Sequence, residues 1–315
     1  MTLETRLGPG KEFDAIRSLL ARWGDRAVGI GDDAASVRVP RGDMLVVSVD
    51  TAVEGRHFKR EWLSLRDAGY RATVAALSDI AAMAARPLGL LVALTLPEAT
   101  PAMLGATIAE LGDAIGEAAH DAGAPILGGN LSSGGELSIT TTVLGSAFAP
   151  LARTGAREGD SVYVTGRLGG PLSALRAMEL GHEVSSANHA RFVRPSARIH
   201  EARWLADNGA SAAIDVSDGL VADLRHLAAA SGVGIAIDGA LVPRESDVDL
   251  MTALESGEEY EIVVTTPSRF DEREFSQRFS LALTRIGRVE SRDAGAVRVR
   301  GADVASISGH DHFSR

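Results

Sequence analysis

The chain has 315 residues, no cysteine, and 32 basic against 42 acidic residues, a formal net charge of −10. This composition excludes disulfides, cysteine nucleophiles and zinc–thiolate sites, and the negative charge argues against nucleic acid or an anionic membrane as a partner. No signal peptide or membrane span is expected, since the longest apolar run is residues 88–96, far short of about 20 residues. We therefore expect a soluble cytoplasmic protein, long enough for two domains.

The first half of the chain alternates helical and strand-like patterns. Residues 11–23 carry apolar side chains at helical spacing. Ser64 precedes a long helical pattern that continues to about Ala85, and its hydroxyl can cap that helix. The other elements predicted here are strands at 44–50, 88–96, 125–127 and 137–148, and a helix at 101–122 that Gly123 ends.

A domain boundary is predicted within residues 149–160, which hold Pro150, Gly155 and Gly159. The expected domains are residues 1–149 and 150–315. The elements predicted in the second are helices at 171–180, 195–208, 218–231, 247–255 and 268–279, and strands at 161–165, 212–216, 233–238, 259–265, 283–289 and 295–300. Because helices and strands mix without strict alternation, the fold class expected is α+β in both domains, not a doubly wound sheet.

Aspartates with small neighbours recur near strand ends and turns. Asp50 and Asp215 follow apolar runs, and Asp79 lies in an alanine-rich helical stretch, where a charge is costly unless it is paired or binds a metal. Singly, each has an ordinary explanation: Asp33 can cap a turn, and Asp218 can cap the helix that follows it. If these carboxylates converge, they raise each other's pKa unless a cation lies between them.

Hard oxygen ligands of this kind suit Mg²⁺, which bridges to substrate phosphates. The sequence has no P-loop motif, and neither of its two lysines, Lys11 and Lys59, lies in such a context. The residues therefore predict a magnesium-dependent, phosphate-handling site that works without a P-loop lysine.

Short motifs that contain these aspartates occur in order along nearly the whole chain. They are GIGDDAA at 29–35, SVDTAVEGRHF at 48–58, ALSDIAAM at 76–83, GAREGD at 155–160, RPS at 194–196, AIDVSDGL at 213–220, GEEYE at 257–261 and GHDHF at 309–313. In this order and spacing they resemble the thiamine-monophosphate kinase family. That family belongs to the superfamily of aminoimidazole ribonucleotide synthetase and selenophosphate synthetase.

The resemblance implies transfer of the ATP γ-phosphate to thiamine monophosphate, giving thiamine diphosphate, by in-line transfer with several Mg²⁺ ions and no dedicated catalytic base. It implies a PurM-like homodimer with paired N-terminal sheets and a sandwich-like α/β C-terminal domain that completes the nucleotide and substrate cleft. By this resemblance the metal ligands are Asp33, Ser48, Asp50, Asp79, Asp215 and Asp218. The nucleotide contacts are Gly129, Asn130, Arg153 and Ser217, and the acceptor contacts are His57, Glu258 and Ile307.

Some positions depart from the family pattern. Asn130 stands where the family has an aspartate ligand, Leu131 replaces a threonine, and Ile307 replaces an aromatic residue that packs on thiamine. Two alternatives are therefore kept: a paralogue of the synthetase type that uses ATP and Mg²⁺ on another acceptor, and a degenerate nucleotide-binding protein. The kinase is favoured because a phosphate monoester, with a second pKa of about 6, is largely dianionic at neutral pH and needs little help from a base.

Overall fold

A computed structural model describes residues 11–27, 37–291, 294–307 and 309. The chain divides into two compact units, the first comprising Met1–Ile80 and Arg86–Ala149 and the second Ala81–Ala85 and Pro150–Arg315. Both units combine helices with a mixed sheet, as the predicted α+β class requires. In the part of the chain that the structure describes, no helix is long and apolar enough to cross a membrane.

Within its described residues, the first unit contains a four-stranded sheet and three α-helices. The strands are β1 (Met44–Val53), β2 (Arg86–Pro97), β3 (Ile126–Gly134) and β4 (Ser138–Ala147). The helices are α1 (Lys11–Trp23), α2 (Leu65–Ala82) and α3 (Pro101–Asp121). The order across the sheet is β1-β4-β2-β3; β2 and β3 are parallel, and the other neighbours are antiparallel. The Ser64 hydroxyl caps α2 by accepting from the N–H of Asp67 (3.1 Å), as predicted.

The two faces of this sheet differ in burial. Ser48 of β1 lies opposite Val143 of β4, which lies opposite Leu90 of β2, and both apolar residues are fully buried. Side chains of paired residues share a face, so these three side chains lie on one face of the sheet, where Ser48 contacts Asp79 of α2. Val47 and Val49, on the opposite face of β1, are 56% and 60% exposed.

The second unit contains a six-stranded sheet with helices around it. The strands are β5 (Ser161–Thr165), β6 (Ala212–Asp215), β7 (Gly234–Asp238), β8 (Ile262–Thr266), β9 (Leu283–Glu290) and β10 (Val297–Arg300). The helices are α4 (Gly170–Glu179), α5 (Ser186–Val193), α6 (Ile199–Asp207), α7 (Leu220–Ser231), α8 (Leu250–Glu255) and α9 (Glu272–Phe279). The order across the sheet is β10-β7-β9-β5-β8-β6, antiparallel except for β10 and β7.

Every residue of the central strand β5 is buried. Val162 and Val164 belong to an apolar core that includes Leu220 and Leu224 of α7. Tyr163, on the other face of the strand, meets the Phe270 ring edge-on with centroids 5.1 Å apart. Helices and loops therefore cover both faces of this sheet, which makes it a rigid base for the loops at the strand ends.

Most predicted elements differ by a few residues from those in the structure, and three of the differences have a clear physical cause or bear on the site. The short strand at 125–127 continues to Gly134, because parallel pairing with β2 supplies hydrogen bonds that outweigh the low strand propensity of Gly129 and Asn130. The helix predicted at 195–208 begins only at Ile199, as α6. Before it lies α5 (Ser186–Val193), a helix that was not predicted from the sequence; it ends before Pro195, since proline disfavours helix in the residue before it. The strand at 259–265 begins only at Ile262.

Candidate functional site

In the first unit, the structure brings together two of the predicted metal ligands. The Ser48 hydroxyl of β1 donates to the Asp79 carboxylate of α2 at 2.5 Å. Asp50 lies two residues after Ser48 and therefore on the same face of β1. Asp50 is inside the strand, not at its end as the sequence suggested, because β1 stays paired with β4 as far as Val53. The charge of half-buried Asp79 is thus supported by a hydroxyl donor.

His57 follows β1 in a turn. Its ring Nδ1 accepts a hydrogen bond from the Val53 backbone N–H at 3.1 Å, and its side chain is exposed. The hydrogen bond orients the ring and leaves its other edge accessible. A contact between His57 and the acceptor substrate stays a prediction.

Gly129 and Asn130 lie within β3. A Cβ atom at Gly129 would lie 1.9 Å from the Val92 carbonyl oxygen, so the close approach of β3 to β2 requires glycine here. Across the sheet, Gly129 pairs with Val92, which pairs with Thr141, and Thr141 pairs with Asp50, so Gly129 and Asp50 share a face. Asn130, the next residue of β3, pairs with Ala93. The register therefore places Asn130 on the face opposite Ser48 and Asp50. Its contact with the nucleotide also stays a prediction.

In the second unit, three predicted site residues lie at the end of β6 and in the loop that leads to α7. Asp215 ends β6 and is 4% exposed, whereas Ser217 and Asp218 are partly exposed. The suggestion that Asp218 caps α7 is wrong: the N-cap residue is Gly219, and α7 has no side-chain cap hydrogen bond from its N-cap residue.

A residue that the sequence did not single out, Asp223, organises this loop. One oxygen of its carboxylate accepts from the backbone N–H groups of Ser217 (3.0 Å), Asp218 (3.1 Å) and Gly219 (3.1 Å). Burial, and then the nearby charges of Asp215 and Asp218, raise the pKa of the Asp223 carboxyl to about 8. Three carboxyl groups are therefore gathered at this loop, an arrangement that a cation relieves.

The segment 257–261 lies against the same loop. The Glu258 N–H donates to the Ser217 carbonyl oxygen at 2.8 Å, and the N–H groups of Glu259 and Tyr260 both donate to that of Val216, at 3.1 and 2.9 Å. Glu258 and Tyr260 hold left-handed backbone with φ of 55° and 54°, which costs about 1 kcal/mol or more each. Because of this backbone conformation the strand that was predicted to begin at residue 259 begins only at Ile262. The same conformation places Glu258 beside Ser217.

Gly257 is required by this packing, because a Cβ atom there would lie 2.5 Å from the Ser217 carbonyl oxygen. Ser217, predicted to contact the nucleotide, and Glu258, predicted to contact the acceptor, are thus linked by a backbone hydrogen bond. Local sequence pattern carries no signal for this pairing, because the two segments are far apart in the chain.

Two buried glutamates anchor the same segment from behind. Arg198 of the second unit makes a two-pronged pair with Glu261, at 2.9 Å and 2.6 Å, and Arg191 contacts both Glu261 (2.9 Å) and Glu259 (3.0 Å). Thr165 donates a further hydrogen bond to Glu261 at 2.6 Å. Burial opposes ionisation of Glu261, but Arg198 and Arg191 hold its pKa below the usual value. At Glu259 burial outweighs Arg191 and raises the pKa to about 7.

The remaining predicted residues are more dispersed. Arg153 is exposed, and its carbonyl oxygen accepts from the Ser231 hydroxyl at 2.8 Å. Ile307 is only 5% exposed and packs in the apolar core of the second unit, where Arg225 holds its carbonyl group. Asp33 lies outside the described residues. The roles of Arg153 and Ile307 stay predictions, and buried Ile307 offers little surface to a substrate.

The predicted oxygen ligands that the structure describes fall into two sets, one in each unit. Among the residues that the structure describes, no three histidine, aspartate or glutamate side chains are already arranged as a metal site. The donor chemistry nevertheless fits Mg²⁺: each set offers carboxylate and hydroxyl oxygens, and the carboxyl groups of Asp215, Asp218 and Asp223 interact as like charges. The described residues thus suit a cation that arrives together with a phosphate ligand.

Comparisons with known proteins cover both units. Residues 31–147 match the family "AIR synthase related protein, N-terminal domain", and residues 157–300 match "AIR synthase related protein, C-terminal domain". The chain is 34% identical to thiamine-monophosphate kinase of Escherichia coli K12 over 326 aligned positions, covering 94% of this chain and 98% of that protein.

Two solved structures extend the comparison. Thiamine-monophosphate kinase from Stenotrophomonas maltophilia K279a is 32% identical with a TM-score of 0.80, covering 94% of this chain and 97% of that one. A structure described as AaThiL complexed with AMPPCP and TMP is 30% identical with a TM-score of 0.75, covering 96% of each chain. The likeness therefore extends over both units.

Proposed function

The chain belongs to the thiamine-monophosphate kinase family and is an ATP-dependent kinase of that type, and from this premise we propose how its residues act. The γ-phosphate of ATP passes directly to the phosphate of thiamine monophosphate, in line and without a covalent enzyme intermediate. Whole-length similarity to kinases of this specificity favours this acceptor over that of a synthetase-type paralogue. We propose the cytoplasm as the location, on the similarity to the thiamine-monophosphate kinase family.

One observation carries the proposal: the 2.8 Å hydrogen bond from Glu258 to the Ser217 carbonyl oxygen. It ties a proposed acceptor contact to a proposed nucleotide contact through rigid backbone. Alignment of two reacting groups supplies much of the catalysis in phosphoryl transfer. A shared backbone support of this kind keeps the two binding segments in register.

We assign the cation ligands to two sets of side chains. Ser48, Asp50 and Asp79 form the set of the first unit, where a Ser48–Asp79 hydrogen bond already gathers the oxygens. Asp215 and Asp218 form the set of the second unit. Mg²⁺ held by these residues would screen the repulsion between two polyanions and stabilise the charge that develops on the leaving ADP. Asp33 is kept as a further ligand on the resemblance alone.

The other residues bind and orient. Ser217 and exposed Arg153 contact phosphate oxygens, Arg153 through its planar fork of N–H donors. His57 and Glu258 contact the acceptor, and Gly129 and Asn130 the nucleotide. No general base is assigned, because the acceptor phosphate is already largely dianionic at neutral pH. The buried pairs of Glu261 with Arg198 and Arg191 keep Glu258 in position.

A coupled ADP-release assay with purified protein tests this proposal. We expect turnover with ATP, Mg²⁺ and thiamine monophosphate together, and a product that carries one more phosphate. Omitting thiamine monophosphate, or replacing it with thiamine, controls for ATP hydrolysis and for a hydroxyl acceptor. Absence of ADP release at saturating ATP and Mg²⁺ would contradict the assigned reaction.

We further propose that two copies of the chain associate through the open face of the first unit. Among the described strands β1 pairs with β4 alone, and it exposes Leu45 (49%), Val47 (56%) and Val49 (60%) on the face away from α2. An exposed apolar strand at a sheet edge is prone to association unless it is covered. A second copy offers the same complementary surface and closes it by two-fold symmetry.

Light scattering after size-exclusion chromatography measures the mass in solution. The native chain is expected as a dimer, and Val47→Glu as a monomer, because a buried unpaired charge at the interface is costly. Leu180→Glu is the matched control, since Leu180 is 68% exposed on the second unit. A monomeric native chain, or a dimer that Val47→Glu leaves intact, would overturn this interface.

A further inference from the structure

The backbone of the loop between β6 and α7 is hydrogen-bonded to a buried carboxyl group, that of Asp223. Three consecutive backbone N–H groups, those of Ser217, Asp218 and Gly219, converge on one carboxylate oxygen of Asp223 at 3.0 to 3.1 Å. Asp223 is 1% exposed. The three donors are therefore fully used inside the protein.

The position of Asp223 in α7 explains this arrangement. Side chains of an α-helix tilt towards its N-terminus, so a carboxylate in the first turn reaches back to the loop before the helix. The Asp223 N–H in turn donates to the Gly219 carbonyl oxygen at 2.9 Å. The loop and the first turn of α7 are thus joined in both directions.

This arrangement decides what the loop can bind. Consecutive backbone N–H groups before a helix form a typical site for phosphate in other proteins. Here an internal carboxyl oxygen occupies them, so the groups left to face a ligand are oxygens, notably the Ser217 hydroxyl and the Asp218 carboxylate. Both side chains are partly exposed, whereas Asp223 is not. Such a loop suits a cation and, through the cation, a phosphate.

We propose that Asp223 is a positioning residue that commits the Ser217–Gly219 loop to cation binding by occupying the N–H groups that would otherwise bind phosphate directly. Asp223 acts through Ser217 and Asp218 and does not touch the substrate. The inference rests on the proposed assignment of Ser217 and Asp218 to the nucleotide and its Mg²⁺.

The test compares Asp223→Asn with the native full-length chain. Asparagine keeps one acceptor oxygen of the same reach but replaces the second carboxyl oxygen with an amide NH2 group, which cannot accept a hydrogen bond. We expect the half-saturating Mg²⁺ concentration to rise about tenfold, the size of effect seen when groups behind metal ligands are changed. At saturating Mg²⁺, kcat should recover more than half of its native value.

Two readouts do not depend on turnover. Titration calorimetry with AMPPCP and MgCl2 should show the same loss of Mg²⁺-dependent affinity. Amide hydrogen exchange on the ligand-free protein should be faster at residues 217–219. Asp271→Asn is the matched control, because the Asp271 carboxylate likewise accepts from two N–H groups at the start of a helix, those of Arg273 (3.0 Å) and Glu274 (2.9 Å), far along the chain from the loop.

A native Mg²⁺ requirement in Asp223→Asn, or an equal shift in Asp271→Asn, would overturn the inference. If Asp223→Asn fails to fold, Asp223→Ser, which retains a shorter acceptor, takes its place under the same criteria. Asp218→Asn separates this inference from the site assignment. If Asp218→Asn raises the Mg²⁺ requirement and Asp223→Asn does not, only the role of Asp223 fails; if neither variant does, the assignment of Asp218 fails as well.

Discussion

In the first unit, Ser48 and Asp50 stand on a regular strand and Asp79 on a regular helix, whereas in the second unit Ser217 and Asp218 stand in a loop. The first set is held by sheet register and by one side-chain hydrogen bond, Ser48 to Asp79. The second is held by backbone hydrogen bonds on two sides, from the Asp223 carboxylate and from the segment that carries Glu258.

This difference shows two ways to place oxygen ligands. A strand and a helix position side chains through their own periodicity, so little further support is needed. A loop has no such periodicity and needs buried partners that remove its alternative conformations. In the second unit, part of that support comes from the buried ion pairs of Glu259 and Glu261 with Arg191 and Arg198. In the first unit, the proposed ligands lie on a strand and a helix, which have their own regular backbone hydrogen bonds.

The largest expected effect tests whether both regions serve the reaction. Asp50→Asn and Asp218→Asn should each lower kcat/KM by about 1,000-fold, the upper range for losing one group that stabilises developing charge. Both side chains are at least partly exposed, so the far-UV circular dichroism and the melting temperature should stay near native. Asp271→Asn serves as a control with native kinetics. If one variant keeps near-native turnover, its region does not contribute to the reaction as proposed.

Glu261→Gln should destabilise the second unit by about 3 kcal/mol, because it removes the buried counter-charge of Arg198 and leaves Arg191 with Glu259 alone. Urea unfolding followed by tryptophan fluorescence measures the change. The matched control is Glu290→Gln, which removes a carboxylate paired with the exposed Arg288 and Arg298 and should cost less than about 1 kcal/mol. Equal losses in the two variants would show that the Glu261 pairs give no special support to the loop.

Stability should also depend on pH through Glu259. Burial raises the pKa of this carboxyl from 4.5 to about 7 in the folded state, so between those values the folded chain holds a proton that the unfolded chain has lost. Stability from this group therefore falls as pH rises from 4.5 to 7, by at most about 1.4 kcal/mol per pH unit. Glu259→Gln should flatten the native profile of unfolding free energy in that window. A variant profile as steep as the native one would assign the slope to other groups.

The smallest expected effect concerns Asn130. Asn130→Asp restores the charge found in the family and should lower the half-saturating Mg²⁺ concentration by about fivefold, equivalent to about 1 kcal/mol. Ser132→Asp, two positions further along β3 and on the same face, is the matched control. An unchanged or higher Mg²⁺ requirement in Asn130→Asp would argue that this residue is not near a cation.

Much of the fold was predictable from local pattern. The helix at Lys11–Trp23 has the predicted bounds, and the helix from Leu65 begins where the Ser64 cap was expected. The misjudged strands share one cause. At Gly129 and Asn130, pairing with β2 extends the strand beyond what propensity allows, and at Glu258 and Tyr260 left-handed backbone delays the strand. Both depend on partners distant in the chain, which a local window does not contain.

The sequence by itself determined the family, because motif order is a property of the chain alone, and from residue type it predicts which side chains are the oxygen ligands. Tertiary structure decided how those ligands are presented. It buried Asp223 against the N–H groups of its own loop, placed Glu258 beside Ser217, and put Asn130 on the face opposite Asp50. The physical reason is that a buried polar group takes whichever partner the packed chain offers, and that partner is known only once the elements have packed.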